Sequence, residues 1–261
     1  MIGNEQGTSK FTGVFFAMMI EVNGLQFETG FNAVLGPRGA GKTRLLKQIS
    51  ESDAVLASGE VCYVTQELEA FETYTVLDTL LETGVMPDVA LNAMKQMRLT
   101  PYARTHISRL PKLAKAQTLI ARALLNDPKL LLLDEVFAGL TASERLFLGA
   151  SLREVAADRV VVVADAPDNA VEGLLDTVCL LHPDKEACVV SAHTAYEWVE
   201  GKVFEYLAEE LPAEAGRLVQ QLKQDETHVC VREIANQVPE GEVCHVSPTL
   251  LDAYRWWAEH K

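Results

Sequence analysis

Leu35-Gly36-Pro37-Arg38-Gly39-Ala40-Gly41-Lys42-Thr43 is the stretch that decides how this chain is read. It spells G-x-x-x-x-G-K-[ST], with the apolar run Ala33-Val34-Leu35 before it and the helix-prone run Arg44-Leu45-Leu46-Lys47-Gln48-Ile49 after it. Strand, glycine loop and helix in that order are the context that a phosphate-binding loop requires. Glycines allow positive φ, so the loop backbone can turn its N–H groups toward one oxyanion, and the helix that follows adds a positive dipole end. Gly36, Pro37, Arg38, Gly39, Ala40, Gly41, Lys42 and Thr43 are therefore the expected nucleotide-binding residues. Lys42 is expected to reach the β- and γ-phosphates of ATP, and the Thr43 hydroxyl to hold Mg²⁺. A glycine turn ahead of a basic helix is the competing reading, and the flanking strand and helix weigh against it.

Moving outward, Lys129-Leu130-Leu131-Leu132-Leu133-Asp134-Glu135 places two carboxylates at the end of an aliphatic run. A buried strand that carries Asp134 to its C-terminal edge brings it to the side of an open α/β sheet where ligands bind. Asp134 can then share the Mg²⁺ site with Thr43, and Glu135 can polarise a water in line with the γ-phosphate. Alone, such a run is a common strand end. Paired with the glycine loop, it reads as the second half of one site.

The rest of the chain is consistent with one large α/β unit and a smaller appendage. Of 261 residues, 48% are hydrophobic, which is ample for a buried core. The balance of 23 Lys+Arg against 37 Asp+Glu leaves a formal charge of −14, which repels phosphate backbones and argues against nucleic acid as a partner. Cys62, Cys179, Cys188, Cys230 and Cys244 lack C-x-x-C spacing and read as free thiols in a reducing, cytoplasmic compartment. No apolar run is long enough to cross a bilayer, and residues 11–20, which could imitate a leader, follow an acidic rather than a basic segment.

Strands are predicted at about 14–22, 32–36, 61–65, 129–134, 159–164, 175–181 and 186–191, and helices at about 42–51, 75–84, 88–98, 112–126, 141–157 and 194–209. Residues 130–133 and 160–163 are apolar without alternation, as in parallel strands covered on both faces. Beyond Pro212 a helix at 213–223, strands at 227–231 and 242–246 and a helix at 249–259 are predicted. Trp256 and Trp257 in that last helix either anchor it to the body or form a partner patch.

With these motifs in place the chain resembles the ATPase subunits of ATP-binding cassette (ABC) transporters over most of residues 19–200. Tyr63-Val64-Thr65-Gln66 resembles the family's Q-loop, which implies that Gln66 senses Mg²⁺ and the attacking water and belongs with Glu135 among the catalytic residues. Thr75-Val76-Leu77-Asp78 resembles the helix start after that loop, and the block from Leu119 to Pro128 ahead of the acidic strand is the strongest single likeness. The helix, Asp176-Thr177-Val178 and the strand after it, and the tail Val246-Ser247-Pro248-Thr249-Leu250-Leu251-Asp252-Ala253-Tyr254, are similar to the exporter branch. The resemblance implies a P-loop NTPase core with N-terminal antiparallel strands and a helical subdomain at about 68–115. An ATP-binding domain is expected over 1–205 and an α/β appendage over 206–261. It implies Mg²⁺-ATP as ligand, and a second ATPase subunit and an integral membrane permease as partners, with attachment to the membrane through them.

The chain also departs from the family. Where the pattern expects L-S-G-G-Q stand Leu110-Pro111-Lys112-Leu113-Ala114, without the serine or glycines that grip a partner's nucleotide. Lys112 either offers a point charge to a phosphate or is solvated. Thr141 replaces the aspartate that crosses the dimer interface, and Asp165 replaces the switch histidine. The aromatic expected to stack on adenine has three candidates, Phe15, Phe16 and Phe27. What is kept serves this chain's own nucleotide, and most of what is lost serves a neighbour's. The expected protein is a degenerate, weakly hydrolysing ATPase subunit of an exporter-like complex that pairs with an orthodox subunit. The alternative is a soluble regulatory or assembly module that uses ATP as a conformational clamp. In the first case the helical region should show an apolar coupling surface, for which Val76, Leu77, Leu80 and Leu81 are candidates.

Overall fold

The computed structural model describes residues 19–22, 24–52, 61–65, 72–165, 169–212, 218–224 and 228–260. At its centre lies a six-stranded sheet in the order β4-β5-β6-β3-β7-β8. Its strands are β3 (Gly30–Leu35), β4 (Val61–Val64), β5 (Leu130–Asp134), β6 (Val160–Ala164), β7 (Thr177–His182) and β8 (Lys185–Ser191). All neighbours run parallel except β7 and β8, which form an antiparallel edge. Every residue of β3, β5 and β6 is buried, as the apolar runs 130–133 and 160–163 require of strands with both faces covered, and Asn32 of β3 is accommodated by donating to the carbonyls of Glu28, Gly30 and Val161.

Each face of the sheet has its own apolar layer. Val34, Leu130, Leu132, Val160 and Val162 pack against Leu45, Leu46 and Ile49 of α1 (Lys42–Ser50). The same layer holds Ile20, Val22, Leu25 and Phe27 of a short hairpin, β1 (Met19–Val22) with β2 (Leu25–Glu28). On the opposite face, Ala33, Leu35, Leu131, Leu133, Val161 and Val163 meet the remaining helices. Those helices include α2 (Val76–Leu81) and α3 (Pro87–Gln96) of the helical region, α4 (Lys112–Leu124) and α5 (Ala142–Val155). Residues one apart on a strand point to opposite faces, so each strand contributes to both layers. Leu46 is fully buried, and cutting it back to alanine would cost about 2–5 kcal/mol.

After the short α6 (Asn169–Glu172), the chain departs from the sequence expectation at two places. Residues 194–209 do not form one helix. Instead α7 (Ala192–Glu197) ends early, Gly201 takes φ 70°, and Val203–Ala208 forms strand β9. Residues 218–223, expected to be helical, lie in β10 (Leu218–Gln224), paired antiparallel with β11 (Val229–Ile234). Pairing across the sheet overrides local helix propensity here. With β12 (Val243–His245) these strands make a second sheet in the order β10-β11-β9-β12.

The closing helix α8 (Leu250–His260) is tied to that sheet by charge. Arg232 on β11 forks onto Asp252 at 2.7 and 3.1 Å and reaches Glu205 on β9, while Asp252 also accepts from the Thr249 backbone and hydroxyl at 2.8 Å. The Pro248-Thr249-Leu250-Leu251-Asp252 tail thus has a physical purpose: threonine and aspartate cap the helix while the aspartate neutralises a half-buried arginine. Trp257 is buried and Trp256 lies under the Lys202 ammonium at 4.1 Å, so the tryptophans anchor α8. All five cysteines sit in strands as free thiols.

Candidate functional site

The glycine loop leaves β3 at Leu35 and enters α1 at Lys42. Gly36 has no room for a side chain, since a Cβ there would lie 2.6 Å from the Leu181 carbonyl oxygen. Gly39 and Gly41 take φ 86° and 93°, a left-handed backbone that favours glycine. Gly41 is the N-cap of α1, and no side chain caps that helix, so its first N–H groups stay available to a ligand. Lys42 folds back over the loop and donates to the carbonyls of Gly36 at 2.8 Å and Pro37 at 3.0 Å. Burial pushes its ammonium below the usual lysine range, while Asp165, Glu135 and Asp134 pull the other way. The result is a concave backbone cradle with the Lys42 ammonium across its mouth. Arg38, Gly39, Thr43, Arg44 and Glu135 line the cleft beside it.

The acidic strand meets the loop where the sequence motifs say it should. Thr43 donates its hydroxyl to Asp134 Oδ1 at 3.2 Å. The other carboxylate oxygen, Oδ2, accepts the Tyr63 hydroxyl at 2.8 Å. Asp134 is only 7% exposed, so both bonds offset the cost of burying its charge. The Tyr63 phenol is pushed well above its ordinary pKa, first by burial and then by the bond to Asp134 and that group's charge, so it stays a donor. Glu135 turns away from the strand at φ 54°, which costs a non-glycine residue about 1 kcal/mol or more, and is exposed. Its amide is fixed by the Ala164 carbonyl at 2.9 Å.

Two of the positions where the chain departs from the family pattern, Asp165 and Thr141, are bonded within this chain. The Asp165 carboxylate accepts from the Phe137 amide at 3.1 Å and so ties the end of β6 to the loop that follows Glu135. Thr141 is the N-cap of α5 in a reciprocal capping box with Glu144, whose carboxylate accepts the Thr141 amide at 2.8 Å. Lys112 opens α4 behind Pro111, which offers no side-chain cap, and its ammonium lies against Gly139: a Cβ there would come within 2.8 Å of Nζ.

Gln66 lies outside the described residues, as do Phe15 and Phe16. The strand leading to Gln66 is described, and Val64 pairs with Leu133 beside the acidic end of β5. Phe27 is wholly buried between hairpin and sheet and has no face to offer adenine. Val76 and Leu80 are likewise fully buried, with Leu77 and Leu81 packed against the core. Those four hold the helical region together; among the described residues its exposed apolar side chains are Tyr74, Met86, Val89 and Leu91. Sequence reasoning missed Tyr63 as a partner of Asp134, although the alignment of β4 beside β5 is the signal that finds it.

The donor set suits a hard divalent cation. Thr43 and Asp134 offer hydroxyl and carboxylate oxygens next to a cradle that takes phosphate, the arrangement in which Mg²⁺ is held by one or two protein groups and a substrate. Among the described residues no group of three or more His, Cys, Asp or Glu forms a self-sufficient metal cage. No described helix is long and apolar enough to cross a membrane.

Residues 25–138 match the family model described as ABC transporter. The aliphatic sulfonates import ATP-binding protein of Delftia acidovorans is 29% identical over 193 residues, covering 70% of this chain and 74% of that protein. The Nod factor export ATP-binding protein I of Rhizobium sp. (strain N33) is 27% identical over 211 residues, 70% of this chain and 69% of that protein. Among solved structures, cbiO1 from Clostridium perfringens, part of the ABC transporter complex cbiONQ, aligns with a TM-score of 0.58 at 18% identity, over 67% of this chain and 83% of that one. At that identity the likeness speaks for the fold.

Proposed function

From the ABC transporter ATP-binding domain that this chain carries, we infer a degenerate ATPase subunit that holds Mg²⁺-ATP in its own loop and does not build a symmetric two-site sandwich with a second copy of itself. The observation that carries the reading is the junction of Thr43 and Asp134 at 3.2 Å beside the Lys42 cradle, while Thr141 and Asp165 are bonded within the chain. The backbone of 36–43 would wrap the phosphates, Lys42, which now donates to loop carbonyls, would donate to phosphate oxygens, and Thr43 with Asp134 would hold the metal. Mg²⁺, when bound, neutralises charge on the terminal phosphates. Glu135, exposed at the cleft, is the group that can orient or deprotonate a water, and Gln66, two residues beyond β4 in sequence, is the companion that the family resemblance gives it.

Asp165 sets the rate in this account. A histidine at its position can donate to a terminal phosphate; a carboxylate repels one. Hydrolysis is therefore slow, and an orthodox second ATPase supplies the other competent site. A permease receives the motion through the helical region, where Tyr74, Met86 and Val89 are exposed. The chain then sits at the cytoplasmic face of a membrane without entering it. An exporter-like complex is favoured by the segment 176–178 and the tail 248–252. The named relatives include one import and one export protein, so direction rests on those segments.

Affinity purification of the full chain from its own cells tests this reading. A membrane permease and a second ATPase should co-purify, and turnover should rise when they do. A soluble assembly with neither would favour the alternative, a module in which ATP binding clamps a conformation.

A further inference from the structure

The carboxylate at the end of β5 is gripped on both oxygens, and only one of the two grips belongs to the phosphate loop. The second comes from Tyr63, on the neighbouring strand. Its position follows from strand pairing. Tyr63 is paired with Leu132, two residues short of Asp134. Two residues along a strand span about 6.6 Å, which a phenol can bridge and a shorter side chain cannot. Alternation puts Leu130, Leu132 and Asp134 on one face of β5, and Leu130 and Leu132 lie in the apolar layer against α1, with Tyr63 packed against that layer. The ring is thus held in the layer, and its hydroxyl emerges at the sheet edge beside Thr43.

We propose that Tyr63 is a positioning residue for the metal site: its hydroxyl fixes the Asp134 carboxylate in the orientation that Mg²⁺ and the Thr43 hydroxyl require. The proposal rests on the nucleotide-binding reading of the loop. Without the phenol, Oδ2 loses its donor in a place where Asp134 is 7% exposed, and the carboxylate is free to rotate off Thr43. Tyr63 does not itself reach the phosphates. It acts on the metal through Asp134, as a partner that orients a ligand rather than one that ligates, and removing such partners commonly weakens metal affinity about 10–100-fold.

The test compares wild type with Tyr63→Phe in the full chain, using calorimetric titration with a non-hydrolysable ATP analogue, once in EDTA and once across a Mg²⁺ series, with Mn²⁺ binding read by electron paramagnetic resonance. Tyr63→Phe is expected to bind the analogue in EDTA as wild type does, because Lys42 and the loop are intact. It should need about tenfold more Mg²⁺ or Mn²⁺ to reach half of the metal-dependent gain. Equal metal dependence in both proteins overturns the proposal. So does an equal loss of analogue binding with and without metal, since Tyr63 would then support the fold or the loop and not the carboxylate. If wild type binds no analogue under either condition, the nucleotide-binding reading itself fails, a result distinct from both.

Discussion

Thr43 and Asp134 stand ninety-one positions apart in sequence, yet the threonine hydroxyl donates to the aspartate Oδ1 across 3.2 Å. A hydroxyl in that position can give its proton to the carboxylate and still turn a lone pair toward a cation. Thr43→Val keeps the shape of the loop and removes both capacities. Nucleotide affinity in EDTA should stay within about twofold of wild type, while the gain on adding Mg²⁺ should fall by at least about tenfold, measured by titration calorimetry. Retained Mg²⁺ dependence would separate the two residues functionally.

Asp165 is the strongest of three acidic influences on Lys42, ahead of Glu135 and Asp134. Asp165→Asn removes the charge and keeps an oxygen to accept the Phe137 amide, so the loop after Glu135 stays tied. Phosphates then meet less repulsion. ATP and ADP should bind about two- to fivefold more tightly, the effect of one partly exposed charge, and the gain should shrink as salt is raised.

The closing helix depends on Asp252, which is 1% exposed and serves both Arg232 and the Thr249 cap. Asp252→Ala leaves Arg232 with Glu205 as its remaining carboxylate partner and uncaps α8. Loss of the charged fork and of the cap together predicts destabilisation of about 2–4 kcal/mol, measurable by urea unfolding. Thr249→Ala removes only the cap and should cost about 1 kcal/mol.

Cys179, buried in β7, has its thiol pushed up to about 12 by burial, with the nearby Cys188 acting in the same direction. A group whose folded pKa is raised binds its proton more tightly in the fold than in the unfolded chain. That contribution is complete below about pH 9 and is lost as pH climbs toward 12. Urea midpoints should therefore fall between pH 8 and pH 10.5 in wild type, and fall less in Cys179→Ala. At pH 8 the exposed Cys244 should be alkylated well before Cys179.

Much of this architecture is legible in the chain because its central features are local. Glycines that must take positive φ, an aliphatic run ended by acids, and the Thr141–Glu144 box each announce themselves within a few residues. The parallel sheet follows from strands with no polar alternation. The second sheet is not legible in this way: β9 and β10 are strands because β11 pairs with both, and nothing local outweighs the helix-like reading of 203–208 or 218–223. Phe27 is lost as an adenine platform for a similar reason. An aromatic in a short hairpin can face solvent or core, and only the packing of β2 onto the sheet decides. Tyr63 depends on strand pairing, which residue types alone do not specify. Asp165 is visible as a departure, but its bond to the Phe137 amide belongs to the folded loop.

The most direct test is steady-state ATP turnover by the isolated full chain across a wide range of protein concentration, with Lys42→Ala beside it and analogue binding recorded for both. Wild type should bind the analogue tightly and turn over slowly, at a rate per chain that does not rise with concentration, and Lys42→Ala should lose binding at least about tenfold. Fast turnover that climbs steeply with concentration and disappears in Lys42→Ala would mean that two copies of this chain complete each other's sites, the opposite of the degenerate subunit argued above.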